Sequence, residues 1–442
     1  MDNSVNSFRL HTFGCKVNTY DTGLVQKNLS RDGFIAAFHK DNSDYSAPLH
    51  ILNTCAVTQE ASKEALRLIR KIKAKNPFSK VVVTGCAAQV DTDLFQSLPS
   101  VDLVVANSHK QDLPGLLRKM YAGTLEQKTH KSNIFRKEDL EEGGGEETAH
   151  SRSFLKIQDG CNSFCSYCII PYARGKSRSI PISNLVTKVN ELYTHGFREV
   201  VLTGVHIGDY EDGIFKLEDL VEALLKKTQM PRFRLSSLEP VEVTERLLDL
   251  YQDPRMCRHF HMSIQSAHTG VLKDMKRNYG EAEVRTALQN IATRLPNSFV
   301  GMDVIVGFPT ETEEAFQSTY MTLAELPWTR IHVFPYSERR GTRAAELHEQ
   351  IENGERHRRA ALLRQLSLSR YTEVAQSQVG QTKKVLLLKK SSKQSDGLSS
   401  DYWPVKLDVK PEIYDREIEV RFNEFSASNK YQGEGVFNGV LA

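Results

Sequence analysis

The stretch Asp159–Cys168 reads DGCNSFCSYC and places Cys161, Cys165 and Cys168 within eight residues, at the spacing Cys-x3-Cys-x2-Cys. Cysteine thiolates are the natural ligands of iron–sulfur clusters. A cubane cluster has four irons, and this run supplies only three ligands, so one iron would stay open to a small molecule. The spacing therefore predicts an iron–sulfur cluster held in a short loop, with one exchangeable position.

Two other interpretations of the three cysteines are weaker. A closed zinc site needs four ligands, often as two separated pairs, and no fourth Cys or His lies close by in sequence. Three buried, unreactive thiols are the remaining alternative. Free cysteines rarely cluster in this way in a cytosolic chain.

Length and composition bound the class of protein. A chain of 442 residues predicts two or three domains, and 40% hydrophobic with 26% charged residues is a globular composition. The net charge of +3 is small, so affinity for nucleic acid would have to come from local basic patches. No apolar run approaches a membrane span, the first residues are polar, and the cysteines number seven. We expect a cytoplasmic protein that uses cysteine for metal binding and has no membrane partner.

The first third of the chain alternates short apolar runs with helical patterns. Such alternation predicts a parallel sheet with helices on both faces. The predicted strands are Phe8–Phe13, His50–Asn53, Lys80–Thr84 and Val101–Ala106, and the predicted helices are Val17–Arg31 and Thr58–Lys75.

Three further cysteines each follow one of these predicted strands. Cys15, Cys55 and Cys86 stand just past the first, second and third strand, two of them directly after a glycine. Parallel strands deliver their carboxyl ends to one edge of a sheet, where sites in such sheets lie. We predict a second cluster with three protein ligands there; three unrelated buried thiols are the alternative.

The middle of the chain repeats a strand–helix unit about six times and predicts an open, partial barrel. An acidic, glycine-containing segment at 136–150 reads as a flexible linker before it. We therefore expect four parts: 1–135 with the second cluster, the linker 136–150, the partial barrel at 151–376, and a small C-terminal domain at 377–442. The predicted barrel strands are Phe154–Ile157, Glu199–Leu202, Phe233–Ser236, Phe260–Ile264, Phe299–Val306 and Ile331–Phe334.

Polar residues and glycines collect at the carboxyl ends of these barrel strands. Hydroxyls, amides and exposed backbone there suit a cofactor with nucleoside and amino-acid parts, although a strand-end Ser or Gly alone is ordinary turn chemistry. The residues expected to contact such a cofactor are Gly204, Ser236, Ser263 and Gln265, together with Tyr167 and Arg178 near the cluster loop.

The C-terminal part has short strands and turns that suit a small antiparallel β-barrel. Its basic loop includes Lys389 and Lys390, and its aromatic residues include Tyr402, Trp403 and Tyr431. Two interpretations have about equal weight. The module binds RNA through backbone contacts and base stacking, or the aromatic residues form an ordinary half-buried core and the lysines an exposed loop tip.

Taken together, these motifs resemble the radical S-adenosylmethionine (SAM) methylthiotransferase family, and the resemblance covers nearly the whole chain. Besides the cluster loop, it rests on motifs that contain the three strand-end cysteines and on two motifs that follow the loop. These stretches are Gly14–Asn18, Asn53–Cys55, Gly85–Gln89, Pro171–Gly175 and Tyr336–Thr342. The resemblance implies a flavodoxin-like N-terminal domain, a central partial (β/α)6 radical SAM barrel and a C-terminal RNA-binding TRAM barrel.

The resemblance also implies the cofactors and the chemistry. Two 4Fe-4S clusters and SAM would be bound, with Cys161, Cys165 and Cys168 on the SAM-cleaving cluster and the strand-end cysteines on an auxiliary one. A deoxyadenosyl radical would abstract hydrogen from an adenine carbon, and sulfur would arrive through the auxiliary cluster. Implied partners are tRNA, an external low-potential electron donor and a sulfur source.

Gly14–Asn18 most resembles the branch of the family that acts on carbon 2 of threonylcarbamoyl-adenosine, next to the anticodon of tRNA. Other branches act on isopentenyl-adenosine in tRNA or on an aspartate of a ribosomal protein, and both stay open, as does a non-catalytic RNA-binding iron–sulfur or zinc protein. A threonylcarbamoyl group carries a carboxylate, which arginine binds bidentately. Arg174 and Arg339 are therefore expected to bind substrate, with Lys389 and Lys390 on the RNA.

Overall fold

A computed structural model describes residues 7–37, 45–140, 142–145, 151–392, 395–407, 416–427 and 435–442. The chain forms two compact units. The first consists of Met1–Glu146, Gln158–Ser179 and Glu338–Ala345, and the second of Glu147–Ile157, Ile180–Ser337 and Glu346–Ala442. The four-part division predicted from the sequence follows chain order, whereas the first unit also takes in two short segments from the middle of the chain.

The strands alternate with helices through most of the chain and follow one another directly at its end. The strands are β1 (Ser7–Thr12), β2 (Ile35–Ala36), β3 (Leu49–Thr54), β4 (Lys80–Gly85), β5 (Leu103–Ala106), β6 (Thr129–His130), β7 (Arg152–Lys156), β8 (Gln158–Asp159), β9 (Arg178–Ser179), β10 (Glu199–Thr203), β11 (Phe233–Leu235), β12 (Ser237–Leu238), β13 (His259–Gln265), β14 (Phe299–Val306), β15 (Arg330–Pro335), β16 (Thr382–Ser392), β17 (Ser395–Ser399), β18 (Pro404–Lys406), β19 (Glu417–Ala427) and β20 (Gly435–Leu441).

The helices are mostly short connections, with one long exception before the C-terminal strands. They are α1 (Lys16–Arg31), α2 (Gln59–Lys75), α3 (Cys86–Val90), α4 (Thr92–Gln96), α5 (Leu113–Tyr121), α6 (Ile170–Arg174), α7 (Ile182–Thr194), α8 (Leu217–Lys227), α9 (Glu245–Leu250), α10 (Thr269–Asp274), α11 (Glu281–Arg294), α12 (Glu313–Glu325) and α13 (Asn353–Gln376).

The first unit is built on a six-stranded parallel sheet in the order β2-β1-β3-β4-β5-β6. All six residues of β3 are buried, as expected for a strand covered on both faces. The order around β1, β3 and β4 is the flavodoxin-like one, and it reverses between β1 and β3. The prediction of a parallel sheet with helices on both faces is confirmed.

Helix α2 shows why the sequence folds this way after β3. Its residues Ala65, Ile69 and Ile72 recur on one helical face and are fully buried in the core against the sheet. The hydroxyl of Thr58 accepts a hydrogen bond from the backbone N–H of Ala61 at 3.2 Å and caps the first turn. The helix therefore starts at a fixed point, with its cap three residues after Cys55.

The second unit contains the partial barrel. Strands β7, β10 and β11 form one parallel sheet, and β12, β13, β14 and β15 form another. Only Ser236 separates β11 from β12, so the strands succeed one another as six parallel positions joined by helices. This agrees with the predicted (β/α)6 architecture.

The C-terminal strands close into a five-stranded barrel in the order β16-β17-β18-β20-β19. The pairings are antiparallel except for β18 with β20. Trp403, Phe422 and Phe437 fill its centre, and Tyr371 of α13 packs against the same cluster. Among the described residues, no helix is long and apolar enough to cross a membrane.

Candidate active site

The three strand-end cysteines occupy equivalent positions on neighbouring strands of the first unit. Cys15 is the N-cap residue of α1 after β1, Cys55 follows β3, and Cys86 opens α3 after β4. Strands β1, β3 and β4 are adjacent in the sheet, so their carboxyl ends bring the three thiols to one edge beside the point where the strand order reverses. Cys55 and Cys86 are buried, and Cys15 is exposed.

Two glycines let the backbone turn tightly beside these cysteines. Gly14 has φ +90°, and a Cβ there would lie 2.7 Å from the Sγ of Cys55. Gly85 has φ +95°, and a Cβ there would lie 2.5 Å from the backbone of Thr54. Only glycine adopts this backbone conformation without strain and fits the close approach at each position.

The pKa of the buried Cys55 thiol is shifted by its surroundings. Burial raises the pKa of Cys55 to about 12, and the neighbouring Cys86 and Cys15 add to that increase. The direction of this shift agrees with the position of the three cysteines at one edge of the sheet. A metal cluster would bind them as thiolates, so loading the site would release protons.

Cys86 also receives hydrogen bonds from side chains. The Nε of Arg174 lies 3.2 Å from the Cys86 Sγ, and the Nδ2 of Asn107 lies 3.7 Å from it. Asn107 also donates to the carbonyl of Ala173 at 2.9 Å. N–H groups aimed at a thiolate sulfur are the usual outer partners of a cluster ligand.

Arg174 is the most completely engaged side chain of this region and is only 4% exposed. Its Nη1 donates to both carboxylate oxygens of Asp159 at 2.9 and 3.0 Å. Its Nη2 donates to Asn18 Oδ1 at 2.6 Å and to Asp21 Oδ2 at 3.0 Å. Burial alone would lower the pKa of Arg174, but Asp159, Cys86 and Asp21 outweigh it and raise the pKa.

The hydrogen bonds of Arg174 leave its guanidinium little capacity for the predicted contact with substrate. A substrate carboxylate would reach the guanidinium only by displacing Asp159 or Asp21. The geometry is that of a residue that supports the cysteines, because Asp159 begins the cluster loop and Cys86 belongs to the strand-end trio. Binding of substrate by Arg174 stays a prediction.

The cluster loop itself lies in the same unit. Cys161, Cys165 and Cys168 are partly exposed, and the N–H of Cys168 donates to the carbonyl of Cys165 at 3.0 Å in a tight turn. The N–H of Ser163 points at the Cys161 Sγ from 3.4 Å. The loop is anchored behind by Ile169 and Ala173, which are buried in the same hydrophobic core as Cys55 and Cys86.

Both cysteine trios fit iron–sulfur clusters. Each offers three sulfur donors within one compact unit, and the backbone or side-chain N–H groups that surround them favour thiolates. Cys15, Cys55 and Cys86 would hold one cluster, and Cys161, Cys165 and Cys168 the other. Cys257, the seventh cysteine, is buried elsewhere, in the second unit.

The other residues expected to contact a cofactor lie in different units. Tyr167 and Arg178 belong to the first unit, where Arg178 donates to the carbonyls of Lys137 at 2.9 Å and Arg174 at 2.7 Å. Gly204, Ser236, Ser263 and Gln265 belong to the second. Their cofactor contacts stay predictions.

Two of the second-unit residues show features expected of a ligand site. The hydroxyl of Ser236, between β11 and β12, is buried and has no hydrogen-bond partner among the described residues. Gln265 ends β13 with φ +62°, next to a shift in register with β14. A glutamine in this conformation carries backbone strain, which collects at functional sites.

A charged group at the same strand ends was not anticipated from the sequence. The ring of His206, after β10, lies 2.5 Å from Glu242 Oε1 and 3.2 Å from Asp209 Oδ2. Arg277 forms an ion pair with Glu239, after β12. The sequence placed His206 and Glu239 at strand ends, but it contained no sign that they share one cluster.

Arg339 lies in the first unit on the segment Glu338–Ala345. Its Nη2 donates to Asp91 Oδ2 at 2.8 Å, while its Nε is buried without a hydrogen-bond partner among the described residues. Ala344 of the same segment donates its N–H to the carbonyl of Ser166 in the cluster loop at 2.8 Å. Arg339 is thus tethered next to a segment that touches the loop.

The C-terminal barrel uses its aromatic residues for internal packing. Trp403 is 2% exposed, and Tyr402 stacks on His259 with ring centroids 4.0 Å apart. Arg234 lies over the Tyr402 ring and donates to the carbonyl of Ser400 at 3.1 Å. Trp403 is buried and Tyr402 is partly buried, as the interpretation as an ordinary aromatic core expects. RNA binding by this module stays a prediction.

A buried carboxylate strengthens this packing within the second unit. Burial alone would raise the pKa of Glu199, but Arg234, Arg232 and Arg152 hold it well below its usual range. Arg232 also donates to the carbonyls of Leu398 and Ser399 in the barrel. The side chains of Lys389 and Lys390, and all of Tyr431, lie outside the described residues, so their predicted contacts with RNA stay predictions.

Comparison with family models gives two matches along the chain. The model described as uncharacterized protein family UPF0004 matches residues 7–106, and the model of the radical SAM superfamily matches residues 155–323. The first match covers the strand-end cysteines, and the second covers the cluster loop and most of the partial barrel.

Among curated proteins, the chain is 37% identical over 403 residues to the threonylcarbamoyladenosine tRNA methylthiotransferase MtaB of Rickettsia prowazekii (strain Madrid E), covering 90% of each chain. It is 34% identical to the protein of that name from Bacillus subtilis (strain 168), covering 81% of this chain and 79% of the relative. A tRNA-2-methylthio-N(6)-dimethylallyladenosine synthase of Clostridium botulinum (strain Loch Maree / Type A3) is 28% identical, covering 81% and 80%.

Among solved structures, the radical SAM methyltransferase TsrM from Kitasatospora setae, with tryptophan substrate and a SAM analogue bound, superposes with a TM-score of 0.57. It is 14% identical and covers 77% of this chain and 75% of that one, so the likeness concerns the fold. The identity to the curated relatives over most of the chain and the two family matches establish the assignment. The chain belongs to the radical SAM methylthiotransferase family, whose enzymes use SAM and 4Fe-4S clusters.

Proposed function

We propose that this enzyme methylthiolates carbon 2 of threonylcarbamoyl-adenosine next to the anticodon of tRNA. The observation that carries the proposal is the presence of two cysteine trios in one compact unit, one at the ends of strands and one in a loop. Relatives named for this substrate are 31–37% identical to the chain, which supports the choice of base.

The protein's own contribution is to hold and separate two sets of ligands. When bound, SAM and the two clusters supply radical formation and sulfur transfer, which acid–base side chains cannot perform on an unactivated carbon–hydrogen bond. Cys161, Cys165 and Cys168 hold one cluster on a partly exposed loop. Cys15, Cys55 and Cys86 hold the other at a rigid sheet edge, where Arg174 fixes the Cys86 sulfur.

The buried surroundings of the strand-end trio suit a reaction that water would quench. Cys55 and Cys86 are buried, and the missing side chain of Gly14 keeps the position beside the Cys55 sulfur free of a Cβ. Sites that keep water away from reactive species limit their side reactions. We further propose that an external protein donates the low-potential electrons and that a separate source supplies the sulfur. The four predicted domains, with their boundaries as given above, also stay proposals.

For recognition of the substrate we favour Arg339. Its partly unsatisfied guanidinium, on a segment that contacts the cluster loop, suits the carboxylate of a threonylcarbamoyl group. Asp91 orients it from one side, so a substrate carboxylate would approach the remaining N–H groups.

The substrate is tested by mass analysis of tRNA nucleosides from a deletion strain and from the same strain complemented with the intact gene. We expect the methylthio-threonylcarbamoyl nucleoside to disappear and to return on complementation. Loss of the methylthio-isopentenyl nucleoside instead would shift the substrate to that branch. An unchanged tRNA profile would refute a tRNA substrate and favour the ribosomal-protein aspartate.

The division of labour between the cysteines is tested with anaerobically reconstituted enzyme. Cys168→Ala should abolish both reductive SAM cleavage and product formation. Cys55→Ala should keep SAM cleavage and stop methylthiolation, because it affects only the strand-end trio. Loss of both activities in Cys55→Ala would contradict separate roles.

Reconstitution also separates the enzyme from a non-catalytic binding protein. Two clusters correspond to about eight irons per chain, accompanied by reductive SAM cleavage. A single zinc without turnover of SAM would favour an RNA-binding metalloprotein.

The role of Arg339 is tested against its exposed neighbour Arg340, which offers the same charge change. Arg339→Ala should raise the KM for tRNA that carries the threonylcarbamoyl group and leave SAM cleavage without tRNA intact. Arg340→Ala should leave that KM within twofold or so, as expected for an exposed charge. Equal KM values for the two variants would rule out carboxylate binding by Arg339.

A further inference from the structure

Three aromatic side chains form a cluster on the surface of the first unit, beside the loop cysteines. Phe135 comes from the turn Ile134–Arg136, Phe164 from the loop between Cys161 and Cys165, and Tyr172 from α6. The ring centroids are 6.0 Å apart for Phe135 and Phe164, 5.9 Å for Phe135 and Tyr172, and 6.0 Å for Phe164 and Tyr172. We call these three residues the aromatic triad.

Two rings of the triad are exposed to solvent even though all three rings contact one another. Phe164 is 38% exposed and Tyr172 is 43% exposed. Contiguous apolar surface of this kind costs solubility and usually marks a binding surface. The rings meet stacked and edge to face, so each keeps part of a flat face toward solvent.

The backbone holds Phe164 in place at a cost. Its φ of +46° lies in the left-handed region, which a bulky residue rarely adopts. A loop with cysteines on either side fixes this conformation, and the ring is turned toward the other two. Strain of this kind concentrates at functional positions.

The exposed charged residues on the segments that carry the rings are mainly basic. Lys131, Arg136 and Lys176 are exposed, and they lie on the same segments as the rings or directly beyond them. The segments are in contact, since a Cβ on Gly175 would lie 2.6 Å from the carbonyl of Ile134. Lys137 is balanced by Asp139 at 3.5 Å, and Glu138 is a further exposed acid on this segment.

Exposed rings with flanking cations are the arrangement by which proteins bind single-stranded nucleic acid. Bases stack on the aromatic faces, and the cations contact the phosphates. An enzyme that acts on a base must take that base out of its stack, which leaves its neighbours without a stacking partner. A protein ring close to the reaction site replaces the partner that was lost.

We propose that the aromatic triad is a stacking platform for an unpaired base that neighbours the modified adenine in the anticodon loop. The inference rests on the proposed function, which supplies the RNA. It adds the surface that receives the loop, on the same unit as both cysteine trios. A protein partner, such as an electron donor that docks on the apolar patch, is the alternative that the experiment must separate.

The test measures binding of an anticodon stem–loop RNA that contains threonylcarbamoyl-adenosine to the reconstituted full-length enzyme. Tyr172→Leu removes a ring outside the cysteine loop, and Phe164→Ala removes the one inside it. Each should weaken binding roughly 5- to 100-fold, the effect of losing one base-stacking contact. Tyr172→Phe keeps the ring and should bind within about twofold of the unaltered enzyme, as equivalent stacking requires.

Phe78 provides the matched control. It is 93% exposed on the same unit but precedes β4, whereas Cys86 follows that strand. The six residues of β4 separate the two ends by about 20 Å. Phe78→Ala should therefore change neither RNA affinity nor turnover. Iron content is measured for every variant, so that a damaged loop is not mistaken for lost stacking.

Stacking itself is read from 2-aminopurine placed beside the target adenine. Its fluorescence should fall when the RNA binds the unaltered enzyme, and it should fall less with Tyr172→Leu. The cations are tested separately: Lys176→Ala should reduce the slope of log affinity against log salt by about 0.7, whereas the ring variants should keep that slope.

The results separate the platform from the proposed function. If the unaltered enzyme methylthiolates tRNA but Phe164→Ala and Tyr172→Leu bind RNA normally with full iron, the platform is wrong and the function stands. Ring variants that bind RNA normally but accept electrons more slowly would assign the triad to a protein donor and overturn the proposal. If the unaltered enzyme neither binds the stem–loop nor changes tRNA nucleosides in vivo, the proposed function itself fails.

Discussion

The two cysteine trios of the first unit offer the same three sulfur donors in opposite surroundings. The strand-end trio is set by β1, β3 and β4, has two of its three thiols buried, and is bordered by glycines with positive φ. The trio of the loop is partly exposed and depends on a tight turn and on the packing of Ile169 and Ala173 behind it. The strands of the sheet position the first trio, whereas a loop packed on the same hydrophobic core positions the second.

The two trios therefore differ in their exposure to solvent and in how far their surroundings can rearrange. A cluster held by the partly exposed loop cysteines would be open to solvent on one side, whereas one held at the sheet edge would be largely enclosed. Arg174 connects the two, since it binds Asp159 at the start of the loop and Cys86 at the sheet edge. The following variants would break or sharpen this comparison.

Replacing each whole trio by alanine should have the largest effect on iron content. Either triple variant should lose about half of the roughly eight irons expected. Removing Cys161, Cys165 and Cys168 should leave the stability of the apo-protein within about 0.5 kcal/mol, because these side chains are partly exposed. Removing Cys15, Cys55 and Cys86 should cost about 1–3 kcal/mol through cavities at the two buried positions. Iron analysis and urea unfolding measure both, and equal stabilities would contradict the contrast.

Among single substitutions of the residues that link the loop to the sheet edge, Arg174→Met should lower the free energy of unfolding most. It leaves Asp159 and Asp21 buried without their guanidinium, although Asp21 retains Lys110 at 3.1 Å. Breaking a buried ion pair from one side costs about 3–5 kcal/mol. Arg118→Ala is the control, because its ion pair with Asp32 at 2.5 Å is largely exposed on the arginine side and is worth at most about 1 kcal/mol. Urea unfolding of the apo-protein compares the two variants. Similar losses of unfolding free energy would show that the contacts of Arg174 do not stabilise the link between the loop and the sheet edge.

Gly85→Ala tests how tightly the sheet edge is built. Gly33 has a similar φ of +90°, but a Cβ added there would meet nothing within 4 Å, so Gly33→Ala carries the strain alone. That strain is worth about 1–3 kcal/mol, and the clash of Gly85→Ala with Thr54 should add about 1–3 kcal/mol more. Gly85→Ala should also lower the iron held by the strand-end trio while SAM cleavage persists. Identical stabilities of the two variants would mean that the edge relaxes freely.

Thr58→Ala should have the smallest effect. It removes the cap of α2, the helix that follows Cys55, at a cost of about 0.5–2 kcal/mol. Because α2 does not supply a sulfur, iron content and SAM cleavage should stay at their original levels. Loss of iron in this variant would show that the sheet edge depends on the helix start as well as on the strands.

Much of this arrangement was predictable from local patterns. Strand–helix alternation indicated the parallel sheet, and the positions of Cys15, Cys55 and Cys86 after strands indicated their common edge. The dipeptide strands β2 and β6 were missed, because two residues carry no periodic signal. Asn18 belongs to the motif that contains Cys15, yet its bond to Arg174 depends on residues 156 positions apart in the chain.

Burial of aromatic residues was less predictable than their position. Tyr402 and Trp403 lie in a basic, strand-rich module, and nothing local distinguishes a ring that stacks on RNA from one that stacks on His259. Phe164 and Tyr172 are the reverse case: both rings are exposed, and no local pattern marks them as exposed. Composition determines the side chains available, and tertiary packing decides which of them face solvent.

The assignment of Gln158–Ser179 and Glu338–Ala345 to the first unit has a consequence for protein engineering. Chimaeric enzymes that exchange the N-terminal region between relatives usually take one crossover point in the linker. Here a crossover at that point would pair the loop and Arg174 of one parent with the Asn18, Asp21 and Cys86 of another. Functional hybrids of this fold should instead take all three segments of the first unit from the same parent.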